Sequence, residues 1–119
     1  MKKTILIIDD EAPIRRLSKR LLERKEYQTL EAENGSDGLQ QLEQNQEQVD
    51  AVLLDLHLPD GSGNEWALKL RALRPELPII YFTGSNPEAI KDHNDPNRYF
   101  LKKPFTPDSI SKVIALAVG

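Results

Sequence analysis

Three aspartates stand where two short apolar runs stop. Ile5-Leu6-Ile7-Ile8 ends at Asp9-Asp10, and Val52-Leu53-Leu54 ends at Asp55. Each run is continuous, short and rich in branched side chains, the pattern of a strand buried on both faces. Ligands of open parallel sheets bind outside the carboxyl ends of the strands. Acids at that rim are therefore candidates for chemistry rather than for packing. If the two strands are neighbours, the three carboxylates converge. Like charges at that range repel unless protons or a hard divalent cation neutralise them. The pattern predicts an acidic pocket that holds Mg2+ around a potentially nucleophilic aspartate.

Composition narrows the alternatives. The 119 residues are 39% hydrophobic, enough for one modest core, and residues 1–119 are expected to form a single domain. The chain has no cysteine, which excludes disulfides, thiol catalysis and thiolate metal sites. Its two histidines lie in polar stretches, against a His-rich zinc site. The net charge is -3 with both signs interspersed, which argues against a direct nucleic-acid partner. No run approaches a membrane span. After Met1-Lys2-Lys3 the apolar stretch is too short for a signal peptide and meets two aspartates at once. The expectation is a soluble cytoplasmic protein with no membrane partner.

Strand-like and helix-like patterns alternate along the chain, without repeats or low-complexity tracts. Strands are predicted at Thr4–Ile8, Tyr27–Ala32, Ala51–Leu54, Ile79–Thr83 and Arg98–Lys102. A first helix runs from Pro13 to Arg24 with Ile14, Leu17, Leu21 and Leu22 inward. Pro13 suits a first turn, where its missing N–H costs nothing. Asn34-Gly35 is a turn, and Ser36 to Gln46 a polar helix with Leu39 and Leu42 inward. Pro59-Asp60-Gly61-Ser62-Gly63 is a loop. Asn64 to Leu73 is a helix burying Trp66, Leu70 and Leu73. Pro87–His93 reads as a short helix stopped by Asn94-Asp95-Pro96. Pro107 opens a last helix through Ile110, Val113, Ile114 and Leu116.

Such alternation specifies an α/β fold, a flavodoxin-like (βα)5 doubly wound sandwich. Its five-stranded parallel sheet has order 2-1-3-4-5, right-handed crossovers and helices on both faces. That order sets strands 1 and 3 side by side and gathers Asp9, Asp10 and Asp55. It also places Thr83, ending strand 4, and Lys103, following strand 5, on the same rim.

With those residues in place, the chain strongly resembles the receiver domain of bacterial two-component response regulators. The resemblance spans the whole chain. It is carried by Asp9-Asp10-Glu11 after strand 1, Asp55 with Leu58-Pro59-Asp60-Gly61 after strand 3, Thr83-Gly84 after strand 4 and Lys103-Pro104-Phe105 after strand 5. Each motif alone is weak; four in order, each at a predicted strand end, are specific.

The resemblance implies that Asp55 accepts a phosphoryl group from a phosphohistidine of a sensor histidine kinase or histidine phosphotransfer protein. A carboxylate is a workable nucleophile for this, and the transfer depends mainly on positioning and charge neutralisation. Mg2+ would be held by Asp10, by Asp9 directly or through water, by Asp55 and by the backbone carbonyl of His57. Lys103 would pair with Asp55 and then with a phosphoryl oxygen. The Thr83 hydroxyl would bond another phosphoryl oxygen only after transfer, biasing a loop between two states. Phe100 would change rotamer with that switch, and Lys103-Pro104 would be cis. The chain would then be a phosphoacceptor that catalyses its own phosphotransfer and slow dephosphorylation, not an enzyme acting on other substrates. His57 and Ser85 occupy positions that tune phosphoryl lifetime in such domains; neither is acidic or an amide, so fast self-hydrolysis is not expected. The output would be a downstream protein or an attached output domain, with phosphorylation-dependent dimerisation as one route.

Two departures from the family pattern stand out. The stretch from Thr83 to Lys103 is about two residues short of the usual receiver spacing, and it lacks the usual Gly-Ala before strand 5. Both fall on the helix 4, strand 5 and helix 5 face that such domains use for signalling.

Taken singly, these residues have plainer readings. Asp9 and Asp10 would cap and charge-complement the first helix, and Asp55 would be a loop residue. Thr83 would be an ordinary strand threonine, Asp60-Gly61 a turn and His57 an exposed loop residue. Lys102 is expected to be solvated, and Tyr99 and Trp66 to be packing groups. Two other classes share the fold or the chemistry. A haloacid-dehalogenase-like phosphatase needs an aspartate two residues after its nucleophile, where this chain has His57. A flavin or nucleotide binder needs a first loop rich in Gly, Ser and Thr to cradle phosphate, where this chain has Asp9-Asp10-Glu11.

Overall fold

Buried apolar runs become adjacent strands here because each has a hydrophobic partner on both faces. The computed structural model describes residues 2–83 and 97–119. In chain order the strands are β1 (Thr4–Ile8), β2 (Gln28–Ala32), β3 (Val49–Asp55), β4 (His57–Leu58), β5 (Gly61–Ser62), β6 (Ile79–Thr83) and β7 (Arg98–Lys102). The helices are α1 (Ala12–Arg24), α2 (Gly35–Gln44), α3 (Gly63–Leu73) and α4 (Pro107–Val118). Five strands form one sheet in the order β2-β1-β3-β6-β7, every neighbouring pair parallel. This is the predicted order, counted over the strands of the large sheet. The two-residue β4 and β5 form a small antiparallel ribbon in the stretch after Asp55.

Successive side chains of a strand point to opposite faces, so the sheet separates two cores. Leu6 and Ile8 join Val52, Leu54, Ile79 and Tyr81 under α2 and α3, with Leu42, Trp66 and Leu70 above them. Ile5 and Ile7 join Leu53, Ile80, Phe82 and Leu101 on the other face, beneath Leu22 of α1 and Ile110 and Ile114 of α4. Each fully buried aliphatic side chain contributes on the order of 2 kcal/mol. The continuous run of β1 therefore commits it to the middle of the sheet.

Several local readings differ from the structure. The stripe of α1 that faces the sheet passes through Ile14, Ser18, Leu21 and Leu22, whereas Leu17 is 41% exposed. A buried serine thus stands on the inward face and a leucine on the outward one. Leu116 likewise falls off the Ile110, Val113, Ile114 stripe of α4 and is 70% exposed. Strand β3 starts at Val49 rather than Ala51. Its register against β1 shifts between Thr4 and Ile5, and the Asp50 carboxylate accepts the Thr4 N–H at 2.8 Å. An aspartate bonded to a neighbouring strand reads as a loop residue in sequence. Helix α2 stops at Gln44, not Gln46, with Asn45 turning its last carbonyl-bonded turn. The predicted helix at Pro87–His93 lies outside the described residues. Among those residues, no helix is long and apolar enough to cross a membrane.

The helix starts follow capping chemistry. Asn34, Ser62 and Thr106 accept N–H bonds at the N-termini of α2, α3 and α4. Helix α2 has a second anchor from outside its own segment. Both carboxylate oxygens of Asp60 accept from its first residues, Gly35 N–H and Ser36 N–H, each at 2.9 Å. Trp66 donates its indole N–H to the Asp60 carbonyl at 3.3 Å and packs against Gly35. A Cβ on Gly35 would fall 2.1 Å from the Trp66 ring, so only glycine fits there. Asp60 thus ties the stretch after β3 to the start of α2, beyond the simple turn expected of it.

Desolvation, the largest single influence, pushes the Asp60 carboxyl up, but the N–H donors of Gly35 and Ser36, with help from its own N–H and from Trp66, together hold the pKa below its ordinary 3.8. A depressed pKa contributes stability above 3.8 that is lost as pH falls through the folded value. Asp60→Ala is expected to cost about 1 kcal/mol near neutral pH, as other lost caps do. Urea titrations should show the difference from the parent protein shrinking as pH drops below 3.8.

Candidate functional site

Because β1 and β3 are neighbours with Ile8 opposite Leu54, the residues that follow leave the sheet side by side. Asp9 is 1% exposed and Asp55 3%, while Asp10 and Glu11 are exposed. One carboxylate oxygen from each of Asp9, Asp10, Glu11 and Asp55 lies within 4.8 Å of the others. The sequence placed three of these acids together; Glu11 is a fourth. Local peptides hold the two buried acids. Asp9 Oδ1 accepts the Glu11 N–H at 2.9 Å, and Asp55 Oδ1 accepts the His57 N–H at 3.1 Å. Their second oxygens face one ammonium. Lys103 Nζ stands 3.4 Å from Asp55 Oδ2, 3.7 Å from Asp9 Oδ2 and 3.8 Å from Glu11 Oε1.

Lys103 follows β7 directly, and the Lys103–Pro104 peptide is cis. Its ammonium lies 4.7 Å from the centre of the Phe82 ring, which Phe105 meets edge-on at 5.0 Å. The aromatic floor keeps water from one side of the cluster and strengthens the charge interactions above it. Close backbone packing fixes the other side. A Cβ on Gly63, the first residue of α3, would meet the Asp55 carbonyl oxygen at 2.6 Å. The absence of a side chain there lets the helix start against the peptide that carries the central acid.

Other candidates sit around this centre. Thr83 ends β6 on the same rim, opposite Lys102 of β7. Ser85 lies outside the described residues. The His57 side chain is exposed, and its backbone pairs with Ser62 in the small ribbon. Phe100 is half-buried on the α3 side of the sheet, stacked on Tyr81 at 6.0 Å with the Arg98 guanidinium 5.1 Å from its ring centre. Lys102 is exposed and Tyr99 packs partly into the core, as expected. Neither Asp9 nor Asp10 is the N-cap of α1. That position is Glu11, which makes no side-chain cap bond.

Sequence reasoning missed one contributor beside the acids. Arg15, on the first turn of α1, donates from its terminal nitrogen to the Asp9 carbonyl at 2.7 Å. Its Nε lies 3.4 Å from Glu31 of β2. An arginine on an amphipathic helix reads as solvated, and its backbone acceptor leaves no trace in the residue pattern.

The donor set consists of carboxylate oxygens. One of them, Asp9 Oδ2, is buried without a hydrogen-bond partner. Hard divalent cations prefer such oxygens, so the residues present fit one. Burial raises the Asp9 carboxyl from 3.8 to about 6; the Glu11 N–H opposes this, the Asp55 charge adds to it and Lys103 lowers it. A raised carboxylate pKa means the ionised form costs stability. The metal-free protein therefore loses stability from this group as pH rises from 3.8 through about 6. A divalent cation needs the ionised form and competes with the proton. Adding MgCl2 is expected to raise the unfolding temperature near pH 7.5 and to do progressively less below about pH 6. Thermal melts across that range check both signs.

A doubly wound parallel sheet with clustered aspartates and a lysine at one carboxyl rim defines a narrow class, and the comparisons agree with it. The family model described as response regulator receiver domain matches residues 5–115. The chain belongs to this family of two-component response regulator receivers. It is 32% identical over 114 residues to the phosphate regulon transcriptional regulatory protein PhoB of Escherichia coli (strain K12), covering 92% of this chain and 49% of that protein. It is 38% identical over 109 residues to the transcriptional regulatory protein ResD of Bacillus subtilis (strain 168), covering 89% and 44%. The chain thus spans about half the length of these curated relatives. A solved CheY-like response regulator receiver domain from Methanospirillum hungatei JF-1 superposes with a TM-score of 0.87 at 27% identity, covering 99% of this chain and 94% of that one. A receiver domain from Clostridium thermocellum gives 0.86 at 29%, covering 98% and 94%.

Proposed function

We propose that this receiver is a phosphorylation-driven switch with Asp55 as the phosphoacceptor. The observation that carries the reading is the clustering of Asp9, Asp10 and Asp55 at one rim of the sheet, with the Lys103 ammonium facing Asp9 and Asp55. The donor would be a phosphohistidine of a sensor histidine kinase or histidine phosphotransfer protein. An Asp55 carboxylate oxygen attacks phosphorus, the P–N bond breaks, and its electron pair leaves with the imidazole. The His57 N–H holds one Asp55 oxygen at 3.1 Å, so the carboxylate is oriented before any donor arrives. Lys103 sits where it neutralises charge on the transferred group.

Asp9, Asp10, Asp55 and the His57 carbonyl would hold Mg2+, which supplies charge neutralisation for the phosphoryl oxygens. Water then cleaves the acyl phosphate slowly, releasing inorganic phosphate and returning Asp55 to its free carboxylate. In the switch, the Thr83 hydroxyl bonds the phosphoryl group and Phe100 changes its packing against Tyr81. The altered face is read by a downstream protein, an attached output domain or a second copy of the chain. The full lengths of PhoB and ResD, both named transcriptional regulatory proteins, are consistent with an output domain.

Incubation with Mg2+ and a small-molecule phosphodonor is expected to add one phosphoryl group, seen by intact mass. Beryllium fluoride with Mg2+ is expected to shift amide NMR signals near Thr83, Phe100 and Lys103. Asp55→Asn should abolish both responses, and an unmodified protein that shows neither would overturn the reading.

A further inference from the structure

Asp10 is exposed, yet a cation ligand needs a fixed direction. The structure contains a device that supplies it. The Asp9 main chain is held on both sides of its Cα: its N–H donates to the Ala32 carbonyl at 3.1 Å, and its carbonyl, in the next peptide, accepts from Arg15 at 2.7 Å. The Asp9 carbonyl and the Asp10 N–H share one rigid peptide plane. Pinning the oxygen fixes that plane, and with it the backbone from which the Asp10 side chain projects.

Arg15 is itself held. Its Nε faces Glu31 Oε1 at 3.4 Å, and the other Glu31 oxygen faces Lys19 Nζ at 3.4 Å. The Arg15 side chain is 17% exposed. A planar fork that meets two acceptors in fixed directions is a property of arginine that lysine lacks.

We propose that Arg15 is a positioning residue for the cation site, acting through the Asp9–Asp10 peptide, with Glu31 aiming it. This rests on the reading of Asp10 as a Mg2+ ligand. The sign of the effect separates positioning from simple charge. Arg15 is a cation beside an acidic cluster, so by Coulomb interaction alone its removal would tighten Mg2+ binding. If it positions the ligand, its removal weakens binding.

Mg2+ is titrated into the metal-free chain and followed by amide NMR, with urea unfolding measured on the same samples. Arg15→Gln is expected to weaken Mg2+ affinity roughly ten-fold, as loss of a partner that orients a metal ligand does. It should also broaden or move the Asp10 amide signal before any metal is added. Arg15→Lys keeps the charge and the helix, and serves as the check should Arg15→Gln fold poorly. It is expected to bind Mg2+ nearly as weakly as Arg15→Gln. Parental affinity in Arg15→Lys, or tighter binding in Arg15→Gln, would overturn the proposal while leaving Asp55 chemistry intact. Failure of the parent protein to bind Mg2+ at all would instead remove the functional reading beneath it.

Discussion

The structure is organised by the need to keep two carboxylates, Asp9 and Asp55, buried beside each other. Acids that are 1% and 3% exposed are not tolerated in a core without compensation. Here compensation comes from three directions. Peptide N–H groups of Glu11 and His57 satisfy one oxygen of each acid. The Lys103 ammonium faces the others. The raised pKa of Asp9 shows that the compensation is incomplete. A cation bound there would relieve that remaining cost, and the acids sit at the rim of the sheet, where ligands of such folds arrive, and not further down the strands.

Every large feature of the fold can be traced to holding that cluster. The continuous run of β1 puts it in the centre of the sheet, so its end lies beside the end of β3. Strand β7 occupies the edge next to β6 and delivers Lys103 across the mouth. The helix starts close the perimeter. Helix α3 begins against the Asp55 carbonyl, and α2 begins on the Asp60 carboxylate. Helix α1 sends Arg15 back to the Asp9 peptide. The site is therefore supported by main-chain atoms, helix termini and two basic side chains, Arg15 and Lys103.

Much of this was legible in the sequence, for identifiable reasons. Strand identity and order follow from apolar runs that need cover on both faces, and the acids announce themselves by interrupting those runs. Lys103 could be placed because it follows a strand directly. What escaped reading depends on partners distant in sequence. Ser18 is buried and Leu17 exposed because helix rotation is set by how α1 meets the sheet, while residue type alone suggests the reverse. Asp50, Asp60 and Arg15 look like ordinary polar residues, since their acceptors and donors are backbone atoms up to 46 residues away. Periodicity carries no record of such bonds.

The position of Trp66 has a practical consequence. It is the only tryptophan in the chain, and its indole N–H is bonded to the carbonyl of Asp60, five residues beyond Asp55. Its ring rests on Gly35, with the Lys69 ammonium 4.4 Å from the ring centre on α3. Excitation at the long-wavelength edge, which the three tyrosines do not absorb, therefore interrogates a single, defined fluorophore, seated where the β3–α3 connection meets a neighbouring helix. The molecule comes with its own optical gauge of that junction.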